Sequence, residues 1–80
     1  MYRVAICDDE EKHREFVKSI LITLSIKTNI EFVIELFGSG EQLVSYYERH
    51  ETPFHILILD IEMNGMNGIQ IARTIRGLNN

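Results

Sequence analysis

The apolar positions of this chain change period several times, and each change marks an element. Residues 2 to 7, YRVAIC, favour a pleated strand and end at the acidic run Asp8-Asp9-Glu10-Glu11. From about residue 10 to 27 the period is helical. Phe16, Ile20 and Leu24 recur four apart with Val17 and Leu21 beside them, while Lys12, Glu15 and Lys18 are charged. Acidic residues in the first turn suit the positive end of the helix dipole. Thr28-Asn29 breaks the pattern. Residues 30 to 37 then alternate, with Ile30, Phe32, Ile34 and Leu36 on one face and Glu31, Val33, Glu35 and Phe37 on the other. A strand with two glutamates on one face belongs at a sheet edge. Ser39 followed by Gln42 has capping-box spacing, so a second helix is predicted from there to about His50, ended by Thr52-Pro53. The four apolar residues Ile56 to Leu59 form a third strand that runs directly into Asp60. A loop bearing Gly65 follows, then a third helix from about Gly68, striped by Ile69, Ala72 and Ile75 with Ile71 adjoining.

The predicted order is β-α-β-α-β-α, which implies an α/β fold: a parallel sheet with right-handed crossovers and helices on both faces. VAIC and ILIL are continuously apolar, as strands covered on both faces should be, whereas the second strand is not. That sets the first and third strands side by side and the second outside, a spatial order of 2-1-3. The carboxyl ends of the first and third strands then meet, and with them Asp8, Asp9 and Asp60.

Composition narrows the function classes. A net charge of −4 argues against bulk electrostatic binding to nucleic acid or an anionic membrane. The longest apolar runs, VAIC and ILIL, fall far short of the roughly 20 residues a membrane span needs. The chain enters a strand at once, without the long apolar stretch of a signal peptide, and its single cysteine, Cys7, has no disulfide partner within it; a cytoplasmic location is expected. After Glu62 there is no acidic residue, and after Lys27 there is no lysine.

Three carboxylates at one sheet end repel one another. Two unit charges ~4 Å apart cost about 4 kcal/mol at an effective dielectric of 20, a serious burden for a domain whose whole stability is about 5–15 kcal/mol. A hard dication relieves the repulsion, and Mg²⁺ takes oxygen ligands, usually one or two carboxylates with waters and a phosphate. In open α/β sheets, ligands bind beyond the carboxyl ends of the strands, where the strand order reverses. Acidic cluster, Mg²⁺ and phosphoryl group make one consistent set.

The strand ending in CDDE (7–10), followed by a helix, and the later strand ending in DIEMNGMNG (60–68) resemble the two acidic motifs of response-regulator receiver domains. The resemblance implies a flavodoxin-like (CheY-like) three-layer fold, of which the 80 residues hold the first three βα units, a receiver domain truncated after its third helix. It implies that Asp60 is phosphorylated by a sensor histidine kinase, that Asp9 ligates Mg²⁺ directly and Asp8 chiefly through water, and that the main-chain carbonyl of Glu62 is a further ligand. Such a protein is a phosphorylatable switch in two-component signalling and not a turnover enzyme. AICDDE and DIEMNGMNGIQIAR look most like receivers preceding LytTR-type DNA-binding domains, so DNA contact is expected only through an output domain outside these residues. The sequence departs from the family in two respects. Asn64 stands where many members have proline, and the hydroxyl residue and lysine of the later strands have no counterpart, Thr74 falling on the third helix. Without that lysine, phosphorylation of the 80 residues is expected to be slow or absent.

Plainer readings stand beside these. Acidic residues at a helix start often serve only the helix dipole, Gly65 and Gly68 serve turn geometry, and Met63 and Met66 are packing residues. Cys7 acts as a small hydrophobe, and His13, His50 and His55, which share no ligand spacing, are solvated or locally bonded. The charged face of the first helix is a solvated surface, part of which docks the kinase in the family. A Mg²⁺-dependent phosphatase of the haloacid dehalogenase type also places a nucleophilic Asp after an apolar strand. It wants D-x-D-x-T/V, however, and residues 60 to 64 read DIEMN. A binding module that keeps the fold without the phosphorylation chemistry is the third reading. Finally, an open apolar third strand is expected to pair with a second chain, giving a homodimer or an exchange of elements through residues near 55 to 60.

Overall fold

The computed structural model describes every residue except 50–52, 62, 64 and 80. The expected helix end at His50 and the loop position Asn64 lie outside the described residues. The elements are β1 (Tyr2–Cys7), α1 (Glu11–Thr28), β2 (Phe32–Phe37), α2 (Gly40–Arg49), β3 (Ile56–Leu59) and α3 (Gly68–Asn79). The three strands form one parallel sheet in the order β2-β1-β3, as the hydrophobic patterning implies.

β1 is central and is the strand buried on both faces from Val4 to Cys7, whereas β2 and the equally apolar β3 are only half-buried for most of their length. Ala5 and Cys7 face a core of Phe37, Leu43, Tyr47, Phe54, Ile71 and Ile75, which α2 and α3 complete. Val4 and Ile6 alternate to the opposite face and are equally buried, where α1 packs on β1 and β2. The register sets Cys7 between Phe37 on one side and Leu59 on the other. At the amino ends of the strands, Arg3 stacks 4.8 Å over the Phe54 ring, donates to the Pro53 carbonyl at 3.1 Å and hydrogen-bonds Tyr46 Oη. The Phe54 N–H donates to Tyr47 Oη at 3.0 Å, tying the approach to β3 onto α2.

Three details differ from the sequence expectation. β2 begins at Phe32, not Ile30, because Asn29 closes α1 in the left-handed conformation (φ 58°) and Ser25 Oγ donates to the Ile30 carbonyl at 2.6 Å. The stripe Phe16, Ile20, Leu24 does not face the core. Phe16 is 66% exposed, and the half-buried seam of α1 is Arg14, Val17, Lys18, Leu21 and Ser25. α1 lies along two strands only, so its contact strip is narrow. On α3, likewise, Ile71 and Ile75 are buried whereas Ile69 is 54% exposed and Ala72 faces outward. Ile69, Ala72, Arg73 and Arg76 instead line a groove of about 380 Å³ beside Leu59 and Ile61.

Candidate functional site: an acidic pocket at the strand ends

The register of β1 and β3 builds the site. Asp8 and Asp60 each come one residue after the paired Cys7 and Leu59. The Asp8 N–H donates to the Phe37 carbonyl at 3.1 Å and the Asp60 N–H to the Cys7 carbonyl at 3.0 Å, so the main chain is held one step past the sheet. One carboxylate oxygen from each of Asp8, Asp9 and Asp60 then lies within 4.8 Å of the others. Asp8 and Asp60 are half-buried and Asp9 is exposed. The structure thus brings together the three aspartates expected from the sequence. Glu62, whose carbonyl the resemblance adds to them, lies outside the described residues.

The local chain fixes Asp8. Its Oδ1 accepts the Glu10 N–H at 2.9 Å in a turn that leads into α1, whose N-cap Glu10 makes no side-chain cap of its own. Arg14 Nη1 donates to the Asp8 carbonyl at 2.7 Å, and His13 Nδ1 lies 3.5 Å from Asp8 Oδ2 with its Nε2 3.4 Å from Glu10 Oε2. His13 is therefore locally bonded, as expected, though at the rim of the pocket. Helical side chains lean toward the helix start, so Arg14 reaching back over the first turn was readable from its position and was missed.

The loop from Asp60 to α3 is shaped by two glycines. Gly65 has φ 84°, a conformation that costs an L side chain about 1–2 kcal/mol. A Cβ on Gly68 would lie 2.6 Å from the Asp60 carbonyl oxygen, so only glycine lets α3 start this close to the acid. Asn67 caps that helix: its Oδ1 accepts the Gln70 N–H and Gln70 Oε1 accepts the Asn67 N–H, both at 2.9 Å. The spacing matches Ser39 and Gln42, where the Gln42 N–H donates to Ser39 Oγ at 3.2 Å and Gln42 Oε1 accepts the Gly38 N–H. Sequence reasoning found the second pair and overlooked the first. It also missed Glu41, whose Oε1 accepts the Met66 N–H at 3.3 Å across 25 residues. No local pattern announces a contact of that range. Thr74 Oγ1 is engaged within α3, donating to the Gln70 carbonyl at 2.9 Å.

The donor set suits a hard cation. All three donors are carboxylate oxygens, and mutual distances within 4.8 Å are of the order of the ~4 Å between opposite ligands of an octahedral Mg²⁺. The thiol of Cys7, directly behind the pocket, is pushed up to about 11, first by burial and then by the charges of Asp8 and Glu41, with a lowering by Arg14 and a smaller push from Asp60. A thiol held neutral there is a packing group and not a metal ligand.

The family model described as "Response regulator receiver domain" matches residues 4–80. Among curated relatives, the "Heme response regulator HssR" of two Staphylococcus epidermidis strains, ATCC 35984 and ATCC 12228, is 33% identical over 76 residues. That match takes in 95% of this chain and 30% of the relative, so the chain spans less than a third of the relatives' length. A solved chain described as the yeast Spc42 trimeric coiled coil fused to another structure is 26% identical with a TM-score of 0.75, over 94% of this chain and 46% of that one. Among the described residues, no helix is long and apolar enough to cross a membrane.

Proposed function

Because the chain belongs to the response regulator receiver domain family, we propose that it is the phosphoacceptor part of a two-component system, with Asp60 receiving a phosphoryl group from a sensor histidine kinase. The carrying observation is the approach of Asp8, Asp9 and Asp60 to within 4.8 Å at the carboxyl ends of β1 and β3. In this reading Asp9 would hold Mg²⁺ directly, Asp8 through water, and the Glu62 carbonyl would complete the protein's share; bound there, the ion would supply charge neutralisation for the incoming phosphoryl oxygens. An Asp60 carboxylate oxygen attacks phosphorus, the bond from phosphorus to the kinase's histidine nitrogen breaks, and the nitrogen keeps the electron pair. Arg14 and the Gln42-capped start of α2 hold the ends of β1 and β2 while this happens. The output domain, LytTR-like by motif, and any contact with DNA belong to residues beyond these 80, and the location of the whole is cytoplasmic. The exposed edge of β3 pairs with a second copy.

Incubation with a small-molecule phosphodonor and Mg²⁺, read by intact mass, tests the reading. The expected result is slow addition of one phosphoryl group that disappears without Mg²⁺ and in Asp60→Asn. A wild type labelled only in a longer chain that carries the family's lysine would keep the phosphoacceptor reading, whereas one that binds Mg²⁺ and stays unlabelled in both would favour a phosphorylation-incompetent binding module. Continuous hydrolysis of the donor would favour the phosphatase.

A further inference from the structure

Glu41 sits in the first turn of α2, on a different βα unit from every aspartate of the pocket. Its carboxylate nonetheless reaches the loop that follows Asp60. Oε1 accepts the Met66 N–H at 3.3 Å, and both carboxylate oxygens would lie 3.1 Å from a Cβ on Gly65. The loop therefore passes against this side chain exactly where its backbone takes a positive φ. Beyond Met66, Asn67 caps α3, and Gly68 sets the start of that helix against the Asp60 carbonyl. Asp60 is thus pinned to the sheet end and Met66 to α2.

We propose that Glu41 is a positioning residue: its hydrogen bond to the Met66 amide holds the loop after Asp60 in the shape that lets the aspartates share one cation. The inference rests on the phosphoacceptor reading for its purpose, and on the Met66 contact for its content. The contact is partly open to solvent and modest in strength. Its leverage comes from geometry, since groups that orient metal ligands from outside commonly change metal affinity. The carboxylate at the start of α2 also favours that helix through its dipole, and the test has to separate the two roles.

Three substitutions do so. Glu41→Ala removes the acceptor, Glu41→Asp keeps the charge at the helix start but falls short of Met66, and Glu41→Gln keeps the reach and an acceptor oxygen while losing the charge. Amide exchange at Met66 and Mg²⁺ affinity are measured for each, well below its unfolding temperature. The clasp predicts that Glu41→Ala and Glu41→Asp speed Met66 exchange and weaken Mg²⁺ binding, each by about tenfold. Glu41→Gln should stay close to the wild type in both. If Glu41→Asp matches the wild type while Glu41→Gln does not, the residue serves only the helix dipole and the proposal is overturned. It is overturned equally if Glu41→Ala leaves Met66 exchange and Mg²⁺ affinity unchanged. Lack of phosphoryl labelling at Asp60 even in a longer chain that carries the family's lysine would count against the phosphoacceptor reading alone, because Met66 exchange and Mg²⁺ affinity decide the clasp without it.

Discussion

Cys7 shows how closely single residues here are tied to their surroundings. Its thiol is almost fully buried and pushed from about 9 up to about 11, so the folded chain holds that proton more tightly than the unfolded one. Stability from this source is complete below about pH 9 and is lost as pH rises through about 11. Urea unfolding across that window should show a loss in the wild type that is smaller in Cys7→Ala. Equal losses would mean that the thiol does not stay protonated. Other single residues were legible to different depths. Asp8, Asp9 and Asp60 could be read because strand periodicity alone places them at adjacent strand ends. Arg14 and Asn67 were readable from helix geometry and cap spacing, yet went unread. Glu41 was not readable, since its partner is fixed by tertiary packing between two βα units.

At the scale of elements, type and order followed from periodicity, but the facing of the helices did not. An apolar stripe shows that a helix has a greasy side and not how wide a surface it will meet. α1 meets two strands, so Phe16, Ile20 and Leu24 remain more than two-fifths exposed while the neighbouring Val17 and Leu21 are half-buried. On α3 the missing side chain of Gly68 lets the first turn abut the Asp60 carbonyl, and that of Gly40 leaves the space that the buried Ile71 fills. Gly68→Ala should destabilise the fold by about 1–3 kcal/mol through forced displacement of α3 or of Asp60. It should also weaken Mg²⁺ binding beyond what the stability loss explains. A stable Gly68→Ala with wild-type Mg²⁺ affinity would show that α3 can withdraw without disturbing the pocket.

The whole molecule is a slab of 34 × 27 × 17 Å with a radius of gyration of 12.6 Å, slightly above the ~12 Å of a compact chain this long. Among the described residues, β3 is paired on one side only; Ile56 is 39% exposed, and at the other end of the strand Leu59 lines an open groove with Ile61 and Ile69. An unpaired apolar edge is a template for another strand. Two copies meeting at β3 about a two-fold axis would form a continuous six-stranded sheet whose central strands run antiparallel. Sedimentation at high micromolar concentration should therefore detect a dimer, or chains that have exchanged elements. A cooperatively folded, monodisperse monomer would contradict this.

The phosphoacceptor role proposed for the chain depends on whether its three aspartates act as one cation site. Isothermal titration with Mg²⁺, comparing the wild type with Asp9→Ala, measures that directly. The account predicts a single weak site in the wild type and none in the variant. An Asp9→Ala protein that binds Mg²⁺ as the wild type does would contradict it.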